Sequence, residues 1–162
     1  MKNPTVYLFA CIVLIISQYS AASVGKIPDG AMRANADLII IGRVMDIQSI
    51  KIPLSSKEIP FIIVSRARIA PESIIKGEAD GTPISIEFAG GQIDDEISVV
   101  EDSPNLTIDE KVILFLKKIT GSEAYSIIGM NQGKFQIRDG MVTKRNIPVQ
   151  QFIQELKIAP PQ

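Results

Sequence analysis

Histidine and tryptophan are absent from this chain of 162 residues, and Cys11 is its one cysteine. Each shortage removes a class of chemistry. Without histidine the commonest general base and the commonest metal ligand are both missing. Without tryptophan, and with three tyrosines, there is little to stack a nucleobase or a sugar ring. Charge of one sign is lacking too: 17 basic residues face 18 acidic ones, a formal net charge of −1. A nucleic-acid binder normally carries a basic excess or stripe. What is present is an ordinary globular composition, 46% hydrophobic and 22% charged, spread along a length that suits one domain.

The first residues predict a compartment. Lys2 is a short positive start, Val6 to Ile16 is an apolar run of 11 residues, and Ser17 to Ser20 is polar. Ser20-Ala21-Ala22 then offers small residues where signal peptidase reads. This layout predicts a secretory signal over 1–22, cleaved between Ala22 and Ser23. The competing reading is a membrane anchor, but a spanning helix needs roughly 20 apolar residues. A lipoprotein signal would need its cysteine after the apolar run, and Cys11 lies inside it. Cleavage leaves 140 residues with no cysteine and a net charge of −2. Such a chain has no disulfide, no thiol nucleophile and no thiolate metal site, yet is long enough to bury a core unaided. No stable membrane span remains after processing, and the localisation expected is secreted or periplasmic.

Beyond the signal, 23–36 reads as a leader with a turn at Pro28-Asp29-Gly30 and one helical turn after it. Asp37 to Ile52 is the best strand candidate, its run Leu38 to Ile41 suited to burial on both faces. Gly42 inside it marks a bulge or bend, letting one strand serve two parts of a curled sheet. Pro53 to Pro60 is a polar connection. Phe61 to Ile69 is a second strand, with Arg66 and Arg68 on its solvated face. Ala70 to Gly77 reads as a short helix, with Pro71 near its start and Gly77 as its stop. Thr82 to Phe88 alternates as a strand. Gln92 to Asn105 is acidic and irregular, with a short strand near Ile97 to Val100. Lys111 to Lys118 and Ala124 to Met130 are strands. Gly133 to Val142 is a hairpin turning at Asp139-Gly140. Val149 to Ile158 places Phe152, Ile153 and Leu156 at helical spacing. The fold expected is mostly β: a small closed or partly open OB-like β-barrel over 37–145, with a short helical insert, then a C-terminal amphipathic helix and tail over 146–162. The alternative is a β-sandwich.

Four stretches carry a resemblance: ADLIIIGRVMDI (Ala36 to Ile47), IIKGE (Ile74 to Glu78), EKVILFL (Glu110 to Leu116) and IIGMNQGKFQI (Ile127 to Ile137). They resemble secreted bacterial and archaeal OB-like domains of the netrin-module and tissue-metalloproteinase-inhibitor type, over about Ala36 to Val142. The resemblance implies a non-enzymatic binding module. It does not carry inhibition with it. The animal inhibitors chelate the metal of a protease through a free N-terminal cysteine, and the processed chain has none. No functional residue transfers.

Candidate chemistry is sparse. Asp94, Asp95, Glu96, Glu101 and Asp102 are clustered carboxylates of the kind calcium takes, but their spacing matches no calcium loop, and a solvated loop explains them as well. Glu87, Asp94, Asp95 and Glu101 are nominal partners for acid/base hydrolysis, without a motif. Ser65 beside Arg66, and Ser55-Ser56-Lys57, lack the desolvated lysine that a Ser–Lys nucleophile needs. Gly129 to Lys134 resembles a phosphate loop but continues as a strand. Asn105-Leu106-Thr107 fits the glycosylation triplet. Arg43, Arg66 and Arg68 are placed on one wall, the possible ligand face, where OB domains usually bind; a merely solvated strand face is the alternative. The expected function is an exported, non-catalytic binding module for an unknown protein or other envelope component, with no cofactor, no metal and no nucleic acid. The alternatives are a carboxylate-dependent hydrolase and a structural envelope protein.

Overall fold

The structure is a computed structural model and describes residues 25–79 and 81–158. The expected signal segment and its cleavage point, Ala22 and Ser23, lie outside the described residues.

The chain opens with helix α1 (Asp29–Asn35) and continues through strands β1 (Leu38–Pro53), β2 (Phe61–Lys76), β3 (Ile84–Ala89), β4 (Gly91–Ile93) and β5 (Glu96–Ser98). Strands β6 (Lys111–Lys118) and β7 (Tyr125–Ile127) follow, then a 3-10 turn at Met130–Gly133. Strands β8 (Lys134–Arg138), β9 (Met141–Val142) and β10 (Ile147–Pro148) lead into helix α2 (Val149–Ile158). The large sheet runs β1-β2-β3-β7-β6-β8-β9-β10, and β1 also pairs with β6. The fold is therefore mostly β, its sheet closed part-way into a ring, and compatible with an OB-like architecture.

The apolar runs explain why β1 and β6 sit where they do. Leu38, Ile40 and Val44 of β1, with Val112, Leu114 and Leu116 of β6, point into the ring against Ala67, Ile69, Ile84 and Ile86. Ile39, Ile41, Ile113 and Phe115 point the other way, onto a second core with Phe135, Phe152, Leu156 and Met32. Both faces of this strand pair are covered, so neither can alternate with polar residues. Helices α1 and α2 form the cover over the second core. The Phe135 and Phe152 rings stand 4.8 Å apart at 45°, a tilted contact that aromatic quadrupoles favour.

Gly42 bends β1 as expected. The β1–β2 register slips between Ile41 and Gly42, and again between Val44 and Asp46. A β-carbon on Gly42 would sit 2.6 Å from Ile69 Cγ2 and 2.8 Å from the Ala70 carbonyl oxygen. Beyond Arg43, which faces Lys111, β1 leaves β6 and continues with β2 alone. One strand thus serves both the ring and a long hairpin arm.

The expected helix over Ala70 to Gly77 is not formed; β2 runs unbroken to Lys76. Pro71 stands opposite Gly42, at the register slip, where a missing N–H costs the ladder least. Ser73 and Ile74 pair with Ile41 and Ile40, so the neighbouring strand decides the conformation over the local helix signal. The acidic stretch is also more ordered than expected. Gly91 to Ser98 makes the β4–β5 hairpin, turning at Asp94-Asp95. The Asp139-Gly140 hairpin forms as expected, with φ of 50° and 75° at those residues, suited to a two-residue turn. Strand β10, which the sequence does not signal, adds to β9 just before α2. Helix α2 buries Phe152 and Leu156, as its spacing predicts.

Candidate functional site

The outer face of β1, β2 and β3 gathers the three expected arginines. In the ladder, Arg43 faces Ala70, Asp46 faces Arg68, and Gln48 faces Arg66; on the other side of β2, Arg66 faces Glu87 and Arg68 faces Ser85. The inward neighbours Val44, Ala67 and Ile69 are fully buried, so the alternating residues point to solvent. Arg43, Arg66 and Arg68 therefore share one face.

None of the three stands as an isolated cation. Arg66 donates from Nε to Glu87 Oε1 at 3.0 Å and makes a second, shorter contact to the same oxygen. Arg68 Nε reaches Asp46 Oδ2 at 2.7 Å. Arg43 donates to the Asp109 carbonyl at 2.8 Å and lies 3.6 Å from Glu72, which also takes Lys111 at 2.5 Å. The hydrogen bond that Arg68 donates to Asp46, and then the charge of Asp46, raise the Arg68 pKa further above its already high value. The result is a solvent-facing band of alternating sign. Each guanidinium is oriented by a cross-strand acid and keeps N–H groups for a second acceptor.

No protein-family profile matches the chain, and no curated protein matches it.

The other sequence candidates are scattered by the fold. Asp94 and Asp95 form the β4–β5 turn, while Glu96 pairs with Lys51. Glu87 is held by Arg66 on β3, and the Asp102 carbonyl accepts the Asn131 N–H at 3.0 Å. Among the described residues no group of three Asp, Glu, His or Cys side chains is arranged to hold a metal. Ser65 points inward, opposite to Arg66, and donates to the Gly90 carbonyl at 2.8 Å. The Ser56 hydroxyl accepts the N–H groups of Glu58 and Ile59, as a turn residue does. Gly129 to Lys134 is a 3-10 turn running into β8. In the Asn105 triplet, Leu106 is buried in the ring core. Among the described residues no helix is long and apolar enough to cross a membrane.

One cluster escapes the sequence. Glu110 and Lys134 form a buried ion pair, Nζ to Oε1 at 2.8 Å, with side chains only 6% and 10% exposed. The second oxygen of Glu110 accepts the Thr107 N–H at 3.1 Å, and Lys134 also donates to the Asn105 carbonyl. Lys144 lies beside this pair. The only trace in the sequence is Lys134 at the head of an otherwise apolar-alternating strand, a position where a solvated lysine is the ordinary reading.

Proposed function

We propose that the chain is an exported, non-catalytic binding module of the OB-like, netrin-module type, and that it docks a protein or another envelope component on the outer face of β1–β3. The observation that carries this reading is the shared face of Arg43, Arg66 and Arg68, each set by an acidic neighbour or a carbonyl. Arginine is enriched in protein interfaces because its planar fork keeps directional donors at small entropic cost. A band of alternating sign selects a partner with the opposite alternation, and like-charge mismatches penalise the rest. A nucleic acid is a poor fit, because the acids offset the arginines and exposed stacking aromatics are few. The inhibitory chemistry of the metalloproteinase inhibitors is outside this proposal, since no cysteine follows Ser23.

The test uses the chain from Ser23 onward, immobilised and challenged with an envelope extract and with culture medium. A partner retained by the native face should bind roughly tenfold or more weakly to the Arg66→Ala/Arg68→Ala variant, because arginines at the centre of an interface contribute on that scale. Undiminished affinity in the double variant would remove the face from the proposal.

A further inference from the structure

We infer that the cavity between β8 and the segment leading into β6 holds the oxyanion group of a small molecule, a phosphate or a carboxylate, between Lys134 and Lys144. The site is separate from the outer face of β1–β3 and does not depend on it. The cavity measures about 340 Å³, and all its lining residues are polar or charged. A polar ligand therefore finds polar or charged side chains on several sides. Among the residues lining it, Glu110 is the one acid. Both of its oxygens are engaged, one by Lys134 and the other by the Thr107 N–H.

The carboxylate therefore answers Lys134, and among the described residues no acid pairs with Lys144. Lys144 Nζ reaches the Asn131 carbonyl at 2.5 Å and stands 5.6 Å from the centre of the Phe135 ring. A carbonyl and a ring face solvate a cation only in part. Partial burial and the charge of Lys134 both lower the Lys144 pKa, in that order. Two lysines and one carboxylate line this cavity, so its field is positive in partly dehydrated surroundings. An oxyanion placed there accepts charge-assisted hydrogen bonds from both lysines and removes their repulsion. Asn131 and Gln136 line the same space, and a side-chain amide is a neutral donor. Loss of a buried donor would leave the Glu110 charge stranded; the site offers the anion two lysines while Glu110 keeps its own partner.

Isothermal titration of the purified protein with inorganic phosphate, at ionic strength held constant with sodium chloride, tests the site. Saturable binding is expected. Lys144→Gln leaves the Glu110–Lys134 pair in place and should weaken binding roughly tenfold or more, the worth of one charge-assisted hydrogen bond. Lys144→Arg should retain it, and so should Lys157→Gln, which alters a cation on α2 that does not line this cavity. A parallel titration with acetate reports whether a carboxylate competes; competition extends the ligand class to carboxylates, and its lack restricts it to phosphates. No saturable phosphate heat in the native protein, or equal affinity in a Lys144→Gln variant whose thermal midpoint is unchanged, overturns the inference.

Discussion

At the scale of single residues, the buried pair and the exposed pairs obey different energetics. The Arg66–Glu87 and Arg68–Asp46 pairs reach solvent, with the arginine side chains 47% and 53% exposed. Exposed pairs contribute about 0.2–1 kcal/mol each, so alanine at Arg66 and Arg68 reads on binding and barely on folding. Glu110 and Lys134 are another matter. Their desolvation is already offset by each other and by the Thr107 N–H and Asn105 carbonyl. Removing one partner strands a charge out of water. Lys134→Met should cost about 3–5 kcal/mol in urea unfolding, and Lys134→Met/Glu110→Leu should recover most of it, since replacing both members of a buried pair with apolar groups is often neutral. A single variant that costs less than about 1 kcal/mol would mean that water already reaches the carboxylate. The sequence hid this pair because neither residue signals burial. Arg66 and Arg68 were legible, because two-residue alternation with buried Ala67 and Ile69 fixes their direction.

At the scale of elements, legibility followed periodicity. Strands β1 and β6, the β8–β9 hairpin and helix α2 carry long apolar patterns or a turn dipeptide, and each was readable. Strands β4 and β10 are too short for any period. The end of β2 carries a helix signal, because Pro71 and Gly77 frame it as a helix start and stop, while the pairing that holds it extended comes from β1, far upstream in the chain. Gly77 ends the strand for a steric reason. Its φ is +82°, and a β-carbon would lie 2.1 Å from the Asp37 carbonyl oxygen. Gly121 has a similar φ of +76°, with nothing within 4 Å of that position. The two glycines separate backbone preference from crowding. Gly121→Ala should lose only the left-handed penalty, about 1–2 kcal/mol. Gly77→Ala carries that penalty plus displacement of the β1 backbone and should lose clearly more, by several degrees in thermal midpoint. Equal losses in calorimetry would mean that the approach of Asp37 to Gly77 relaxes without cost.

At the scale of the whole molecule, the ring is uneven. The β1–β2 ladder runs nearly the length of both strands, and β1 faces β6 from Leu38 to Arg43. The joint between β3 and β7 is a parallel contact with the single register pair Ile86 and Tyr125. Gly42 let the sequence suggest that one strand serves two parts of a curled sheet, but no local pattern announces a parallel joint between short strands. The β1–β6 core is covered on both sides, by the ring interior and by α1 and α2. The β3–β7 joint has few backbone bonds to break. Opening there parts one side of the ring core, at Ile84, Ile86, Tyr125 and Ile127, whereas separating β1 from β6 exposes both cores and amounts to unfolding the domain. Native-state hydrogen exchange should reflect that order. Amides of Leu38 to Ile41 and of Val112 to Leu116 should exchange only through global unfolding, with the full dependence on denaturant. Amides of Tyr125 to Ile127 should exchange through a smaller opening, with a weaker denaturant dependence, because less surface is exposed when the seam parts. If the seam exchanged with the same free energy and slope as β1 and β6, the ring would have to open and close as one cooperative unit, its thinnest joint coupled to its thickest.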